Sequence, residues 1–221
     1  MSKQTQYNYS ARSNRLRPIR RSPIAGRPRG QAGIFTAAQI TCVEKYIENQ
    51  SLAPHSDRLK FYLTIYAGLR IGEVCEIYLA DLVNKDGSIS DFVRVRARIA
   101  KGNRERLVPM HPKIRSAVRQ FMLHHPGVPY VAFSHRSSQP KKQSLTALTN
   151  YMARLYILAG VSGCSSHSGR RTFITNLARS MNGTDFTLRD VQALAGHSRL
   201  DTTEKYIGMG ERLESLIGRL K

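Results

Sequence analysis

Residues 92–108 decide the fold, and they read FVRVRARIAKGNRERLV. Apolar and basic side chains alternate from Phe92 to Ile99, which is typical of a strand with one buried face. Lys101-Gly102-Asn103 then supplies turn-forming residues, and Arg106 to Val108 returns as a partner strand. The stretch therefore predicts a β-hairpin with a lysine at its tip.

Helical patterns lie on both sides of this hairpin. Thr36 and Gln39 resemble a capping box, and Ile40, Val43 and Ile47 follow on one helical face. Further helices are predicted at about 56–67 (ending at Gly68), from Ile71 through Val74, Ile77 and Tyr78, from Pro112 to about His124, and at 144–159, 168–181, 188–195, 200–207 and 211–220. The predicted fold class is mainly α with one small antiparallel β-sheet.

The charge balance indicates a polyanionic partner. The 221 residues include 35 lysines and arginines against 15 acids, so the net charge is +20. Such an excess attracts nucleic acid first and an anionic membrane surface second. No helix pattern combines a cationic face with a strongly apolar one, which argues against the membrane surface. No apolar run approaches the roughly 20 residues of a spanning helix either.

Residues 1–33 differ from the rest of the chain. They contain eight basic residues and no acid, with prolines and glycines spread among them and little apolar periodicity. This composition predicts a disordered basic arm. Setting the eight charges aside lowers the net charge from +20 to +12, so the predicted folded domain, residues 34–221, is itself basic.

The cysteines argue against a disulfide framework and a metal site. Cys42, Cys75 and Cys164 are few and scattered, which favours reduced thiols in a cytoplasmic protein. Cys164 and His167 form a Cys-x-x-His pair, but no second Cys/His pair accompanies it, so no zinc site is predicted. The N-terminus also lacks the apolar stretch of a secretory signal.

Five short patches carry side chains suited to one chemistry. They are Ala67-Gly-Leu-Arg-Ile-Gly-Glu73, Ala100-Lys-Gly-Asn-Arg104, His167-Ser-Gly-Arg170, Leu194-Ala-Gly-His-Ser198 and Thr202-Thr-Glu-Lys-Tyr206. Taken singly, each is better explained by surface cations, a helix end or a packing residue. Together they supply what opening a phosphodiester without a metal requires: cations for the non-bridging oxygens, a nucleophile, a base, and an acid for the leaving alkoxide.

In this order the patches resemble the tyrosine recombinase, or phage integrase, family over about residues 34–210. The family pattern has Gly-Leu-Arg-Ile-x-Glu, a hairpin Lys, His-x-x-Arg, Leu-x-Gly-His-Ser, and a Tyr nine residues after that last His. His197 and Tyr206 are nine residues apart here. The resemblance implies the catalytic-domain fold of that family and a site-specific DNA recombinase or integrase.

The resemblance also implies a phosphate clamp. Arg70 and Arg170 would hold the scissile phosphate, and Glu73, one turn after Arg70, would orient the site. Arginine suits a clamp better than lysine because its planar fork can donate two hydrogen bonds to one phosphate.

The remaining roles concern proton transfer and attack. Tyr206 would attack phosphorus to give a 3′-phosphotyrosyl enzyme and a free 5′ hydroxyl. His167 would act as base or proton shuttle, Lys101 would protonate the 5′ leaving oxygen, and His197 would hydrogen-bond the phosphate. No cofactor is expected, because the ester energy stays in the phosphotyrosine. The sequence also has no Walker-type glycine loop and too few acids to suggest a two-metal nuclease.

The sequence departs from the family pattern at two positions and in length. Arg171 stands where many members have a second histidine, and Gly169 stands where an apolar residue is common, so altered packing is expected. Typical members carry a separate helical DNA-binding domain, for which residues 1–33 are too short. The chain therefore resembles short single-domain members, such as fimbrial phase-variation invertases and minimal integrases.

The basic arm is the predicted substitute for that domain, by entering a groove or tracking phosphates. The predicted DNA-binding residues are Arg12, Arg15, Arg17, Arg20, Arg21, Arg27 and Arg29 in the arm, and Arg104 near the hairpin tip. The resemblance further implies double-stranded DNA as partner and a homotetramer on two recombining sites, with a monomer in the free protein. Accessory DNA-bending proteins remain an open partner class.

Some alternatives stay open at this point. The amphipathic helix predicted at 211–220 either packs on its own domain or is exchanged into a neighbouring protomer. Type IB topoisomerases use the same residue types to nick and reseal one strand, although the Leu-Ala-Gly-His-Ser patch and the nine-residue interval favour a recombinase. A DNA-binding regulator that retains the fold would be expected to lack a catalytic residue, and all six are present.

Overall fold

The computed structural model describes residues 32–100, 103–134, 140–180 and 187–196, all within one unit that begins at Ala32. The described helices and strands are α1 (Ala37–Gln50), α2 (Pro54–Tyr66), α3 (Ile71–Glu76), β1 (Phe92–Val95), β2 (Arg106–Pro109), α4 (Pro112–His124), β3 (Phe133–Ser134), β4 (Lys141–Lys142), α5 (Leu145–Leu158), α6 (Ser168–Ser180) and α7 (Leu188–Ala195), with short 3₁₀ helices at Leu79–Asp81 and Ala97–Ile99. This part of the chain is mainly helical, as the sequence predicts.

Helix α1 begins where the sequence pattern places it. The Thr36 hydroxyl accepts a hydrogen bond from the Gln39 backbone at 3.2 Å, and the Gln39 side chain accepts one from the Thr36 backbone at 3.0 Å. This reciprocal cap satisfies two backbone donors at the helix start. Val43 and Ile47 are buried on the face that the spacing predicts.

Helix α2 is the centre of the described fold, packed against both α4 and α6. Its side chains are buried nearly all round, so it shows little amphipathic pattern. The burial includes an ion pair, in which Lys60 Nζ lies 2.7 Å from Asp57 Oδ1 with both side chains fully inaccessible. Asp57 also accepts hydrogen bonds from Ser51, at 2.5 Å, and from the Tyr151 hydroxyl, so the buried carboxylate is well partnered.

The hairpin forms with a shorter first strand than predicted. β1 pairs antiparallel with β2, with Phe92 opposite Pro109 and Val95 opposite Arg106. The strand predicted to reach Ile99 ends at Val95 and is followed by a 3₁₀ turn, so that part of the prediction is wrong. The side chain of Arg96 turns inward, where it donates to the Glu76 carbonyl at 2.7 Å and pairs with Asp81 at 2.8 Å.

The sequence predicted one sheet, but the described residues form two sheets of two strands each. The second pairs Phe133 with Lys142 and Ser134 with Lys141. Strands of two residues carry no usable alternation, and their pairing depends on tertiary contacts.

Several predicted elements lie outside the described residues. These are the basic arm and the helices at 200–207 and 211–220. In the described ranges, no helix is long and apolar enough to span a membrane.

Candidate active site

The turn that follows α2 sets the position of Arg70. Gly68 has a φ of +63°, a conformation that favours glycine. A Cβ at Gly68 would lie 2.2 Å from the Phe173 ring of α6, so only glycine lets the two segments approach this closely. The chain then runs through buried Leu69 to Arg70, the residue directly before α3.

Glu73 is the acid that holds Arg70. Its side chain is only 2% exposed, and its Oε1 lies 3.0 Å from Arg70 Nη1. Its Oε2 accepts a hydrogen bond from the Arg70 backbone at 2.8 Å. Arg70 keeps a 26% exposed side chain. The predicted orienting role of Glu73 therefore has a direct contact to support it.

Arg106, the first residue of β2, pairs with the same carboxylate. Its Nη1 and Nη2 donate to Glu73 Oε1 and Oε2 at 3.0 and 2.7 Å. Burial would raise the pKa of the Glu73 carboxyl, but the hydrogen bonds and charges of Arg106 and Arg70 hold that pKa below its ordinary value of 4.5. Glu73 is therefore ionised at neutral pH.

Replacing Glu73 by glutamine should reduce stability in a pH-dependent way. An unfolded chain protonates this carboxyl near pH 4.5, whereas the folded chain keeps it ionised to lower pH. The stabilisation is thus complete above pH 4.5 and falls as the pH drops through the lower folded-state pKa. Near neutral pH the loss should be on the order of 3 kcal/mol, since one partner of a buried ion pair is removed.

Urea unfolding of wild type and Glu73→Gln from about pH 3 to 7 measures this difference. Glu48→Gln is the matched control, because it makes the same Glu-to-Gln change at an α1 side chain that is 68% exposed and has only a distant ion-pair partner, Arg58 at 3.9 Å. A difference between wild type and Glu73→Gln that stays constant across this pH range would contradict the assignment.

Arg170 lies on α6 and contacts the backbone of two other segments of the candidate site. The residue is 7% exposed, and its guanidinium donates to the Gly68 carbonyl at 2.7 Å and to the Ala195 carbonyl at 2.6 Å. The first carbonyl precedes Arg70 by two residues, and the second precedes His197 by two residues. One buried side chain thus fixes the backbone beside two predicted catalytic positions.

The C-terminus of α7 completes the described cluster. Gly196 caps the helix with a φ of 63°, and its carbonyl lies 3.5 Å from Arg70 Nη2. The positive φ favours glycine here, and a Cβ at Gly196 would make a tight contact of 3.0 Å with Arg106 Nη1. Cations at the last carbonyls of a helix are favoured by the helix dipole.

The departures from the family pattern are accommodated by packing. A Cβ at Gly169 would lie 2.2 Å from the Thr64 hydroxyl, which explains why this position has no side chain. Arg171 Nη1 donates to the Ala32 carbonyl at 2.6 Å and so holds the first described residue against α6.

Two of the other predicted site residues, His167 and Arg104, are described by the structure, and both are exposed. His167 directly precedes α6 and is exposed, three residues before Arg170. Arg104 is exposed beside the hairpin end, where the Asn103 backbone donates to the Ala100 carbonyl at 3.1 Å. Lys101, His197, Tyr206 and the predicted DNA-binding arginines of residues 12–29 lie outside the described residues.

Arg106 is the site residue that the sequence patterns did not reveal. It is 33 positions from Glu73, and only the folding of the hairpin against α3 brings the two together. The sequence feature that could have indicated Arg106 is its place as the first residue of the predicted return strand.

The described arrangement is suited to holding an anion. Arg70 and Arg106 both bind the buried Glu73 carboxylate, and Arg170 binds the Gly68 and Ala195 carbonyls, so these four side chains carry a net charge of +2. Arg70 and Arg170 also bind the two carbonyls that precede His197. Fixed cations of this kind stabilise negative charge that develops on a phosphate during reaction.

Known proteins of similar structure identify the fold. The XerA recombinase superposes with a TM-score of 0.64 at 20% identity, covering 89% of this chain and 67% of that protein. The Tn1549 transposon integrase, in complex with a circular intermediate DNA, gives a TM-score of 0.67 at 16% identity, covering 86% and 67%. The fold is therefore that of tyrosine recombinase catalytic domains.

Sequence comparison supplies the family. A model of the phage integrase family matches residues 34–211, so the chain belongs to that family. Tyrosine recombinase XerD of Haemophilus influenzae is 35% identical over an alignment of 172 positions, which covers 72% of this chain and 52% of the relative. XerD of Yersinia pestis is 36% identical over 165 residues, covering 69% and 50%. The chain spans about half the length of these relatives.

Proposed function

We propose that this protein is a site-specific tyrosine recombinase that cuts and rejoins double-stranded DNA. The observation that carries the proposal is the placement of Arg70 and Arg170. Glu73 holds Arg70, and the two arginines donate to the two backbone carbonyls immediately before His197. These are the positions at which the phage integrase family pattern places its phosphate-binding residues.

Strand cleavage would be a transesterification. The Tyr206 oxygen attacks phosphorus and forms the phosphotyrosyl bond, while the bond from phosphorus to the 5′ oxygen breaks. His167 accepts or relays the tyrosine proton, and Lys101 delivers a proton to the 5′ oxygen. The number of phosphoester bonds is unchanged, so a 5′ hydroxyl of another strand can reverse the reaction without an energy source.

The arginines would act on the phosphate in the transition state. Arg70 and Arg170 neutralise charge on the non-bridging oxygens, and His197 donates a further hydrogen bond. Groups held rigidly before the reaction need no reorganisation during it, which makes their contribution large. Rigid placement is supported by Glu73 for Arg70 and by two backbone carbonyls for Arg170.

The proposed substrate is duplex DNA held by the basic domain and arm. The net charge of +20 favours a polyanion, and the structurally similar Tn1549 integrase is bound to DNA. Two recombining duplexes present four strands, so a DNA-bound homotetramer formed from monomers is part of the proposal. Accessory DNA-bending proteins would assist where the two sites must be brought together.

Deleting residues 1–30 should weaken DNA binding and flatten its salt dependence. The deleted segment carries eight basic residues and no acid. Fewer DNA phosphates would then be neutralised on binding, so fewer counterions would be released. Fluorescence anisotropy with duplex DNA across a salt series measures both effects. A salt slope equal to that of the full chain would contradict a DNA-binding arm.

A strand-exchange assay tests the proposed function. Adducts captured with SDS from a pool of randomised duplexes, in EDTA and without ATP, are first sequenced to find the cleaved site. Two duplexes with this site and different flanks are then incubated with the protein. Exchanged flanks are the expected result, whereas adducts without exchange would indicate a type IB topoisomerase. A lack of adducts from the pool would contradict DNA cleavage altogether.

A further inference from the structure

Arg106 lies on one segment of the proposed site and contacts two others. It begins β2, the return strand of the hairpin, and Lys101 lies between β1 and β2 in the sequence. Its guanidinium binds both oxygens of Glu73, and it packs directly against Gly196, the residue before His197. Its side chain is only 10% exposed. A surface arginine of a hairpin would have no reason to be this enclosed.

We propose that Arg106 is a positioning residue for DNA cleavage, which acts through Glu73 to keep Arg70 available to the scissile phosphate. The proposal rests on the proposed function, since it assigns a role in the same reaction. Arg106 is not placed against the DNA, and its effect on the phosphate is exerted through its neighbours.

The hydrogen-bond capacity of Glu73 supports this role. The carboxylate accepts four hydrogen bonds, two on each oxygen: one from the side chain and one from the backbone of Arg70, and two from Arg106. A carboxylate has about four acceptor sites, so Glu73 is saturated. Arg70 consequently gives a single side-chain hydrogen bond to Glu73, rather than closing on it with both ends of its fork.

Removal of Arg106 would change the state of Arg70. Two acceptor sites on a buried carboxylate would lose their donors, and Arg70, which already donates to the same carboxylate, could fill one of them. A bidentate pair with Glu73 would draw the Arg70 fork away from a substrate phosphate. In addition, Glu73 would then neutralise the charge of Arg70 alone, whereas in the wild type its negative charge is shared between Arg70 and Arg106.

Arg106 would also couple the hairpin to the end of α7. The backbone of Gly196 lies so close that an added Cβ would be 3.0 Å from Arg106 Nη1 and 3.1 Å from its Cδ. A change in the position of β2 is therefore transmitted to Glu73 and Gly196 by a single rigid guanidinium. Lysine cannot reproduce this, because its ammonium is a point charge without the planar fork.

The test compares Arg106→Gln with Arg94→Gln. Arg94 lies on the paired strand, but it is 56% exposed and its partner Glu105 is also exposed. Both variants remove one positive charge from the same hairpin. On the site recovered from sequenced adducts, we expect Arg106→Gln to slow single-turnover adduct formation at saturating DNA by about 10²-fold. DNA affinity should change no more than it does in Arg94→Gln, whose cleavage rate should remain near wild type.

Two further variants separate positioning from folding. Arg106→Lys keeps the charge and should recover only part of the rate of adduct formation. If Arg106→Gln fails to fold, the cleavage rate of Arg106→Lys tests the proposal instead. In a Glu73→Gln background, the additional Arg106→Gln change should cost much less than it does in the wild type, because the two residues act as one unit. Thermal melting of each variant shows whether the fold is intact.

The outcomes distinguish this inference from the proposed function. Wild-type protein without Tyr206-dependent adducts would overturn the proposed function. Wild-type adducts together with an Arg106→Gln rate equal to that of Arg94→Gln would overturn only the role of Arg106. Fully additive losses in the Glu73→Gln background would also overturn it.

Discussion

Replacing Tyr206 by phenylalanine should abolish SDS-stable protein–DNA adducts while leaving DNA binding intact. The substitution removes one oxygen atom, which is the proposed nucleophile, and leaves the ring in place. Without that oxygen no phosphotyrosyl ester can form, so the expected loss is complete rather than partial. Gel analysis of adducts formed in EDTA, alongside anisotropy measurements of DNA binding, checks both halves of the expectation.

Tyr46→Phe provides the control for this experiment. Tyr46 is a half-buried tyrosine of α1, remote in sequence from the matched motifs. Its variant should form adducts at the wild-type rate. Equal adduct formation by Tyr206→Phe and Tyr46→Phe would remove Tyr206 as the nucleophile.

Replacing Arg170 by alanine should produce the second-largest effect. Loss of one preorganised donor to a charged transition state costs about 10²–10³ in rate. The change also leaves the carbonyls of Gly68 and Ala195 without this donor, each at a cost of roughly 1–3 kcal/mol if it stays buried and unpaired. Single-turnover cleavage and urea unfolding should therefore both report a loss.

Arg179→Ala is the matched control for Arg170→Ala. It lies on the same helix and also removes one positive charge, but its side chain is exposed. It should retain near-wild-type stability and cleavage. If Arg170→Ala unfolded at the same urea concentration as Arg179→Ala and cleaved DNA equally fast, the dual role of Arg170 would be wrong.

Local sequence signals were sufficient for most of the helices. The Thr36 cap, Pro112 at the first turn of α4 and Ser144 before α5 each act within a few residues, so their effect is visible in the sequence. Strand β1 is the counterexample, because its alternating pattern continues past the point where the strand ends. The deciding contacts of Arg96 are made with Glu76 and Asp81, which precede it by 15 residues or more.

The sequence motifs singled out three residues that the structure describes as a contacting group or its neighbours, but they did not indicate which contacts these residues make. The motifs predicted Arg70, Glu73 and Arg170 as site residues because their residue types and spacing are distinctive. They could not show that Arg170 binds main-chain carbonyls, since carbonyls are present at every position. They also could not show Arg106, whose partner lies in another element and is reached only through the tertiary fold.

Mass-spectrometric mapping of the DNA-linked peptide tests most directly whether Tyr206 is the nucleophile. Adducts formed in EDTA and without ATP are digested with a nuclease and a protease, and the peptide carrying the nucleotide remnant is sequenced. We expect one modified residue, Tyr206, joined to a 3′ phosphate. A remnant on any other residue, or a 5′ linkage, would contradict it.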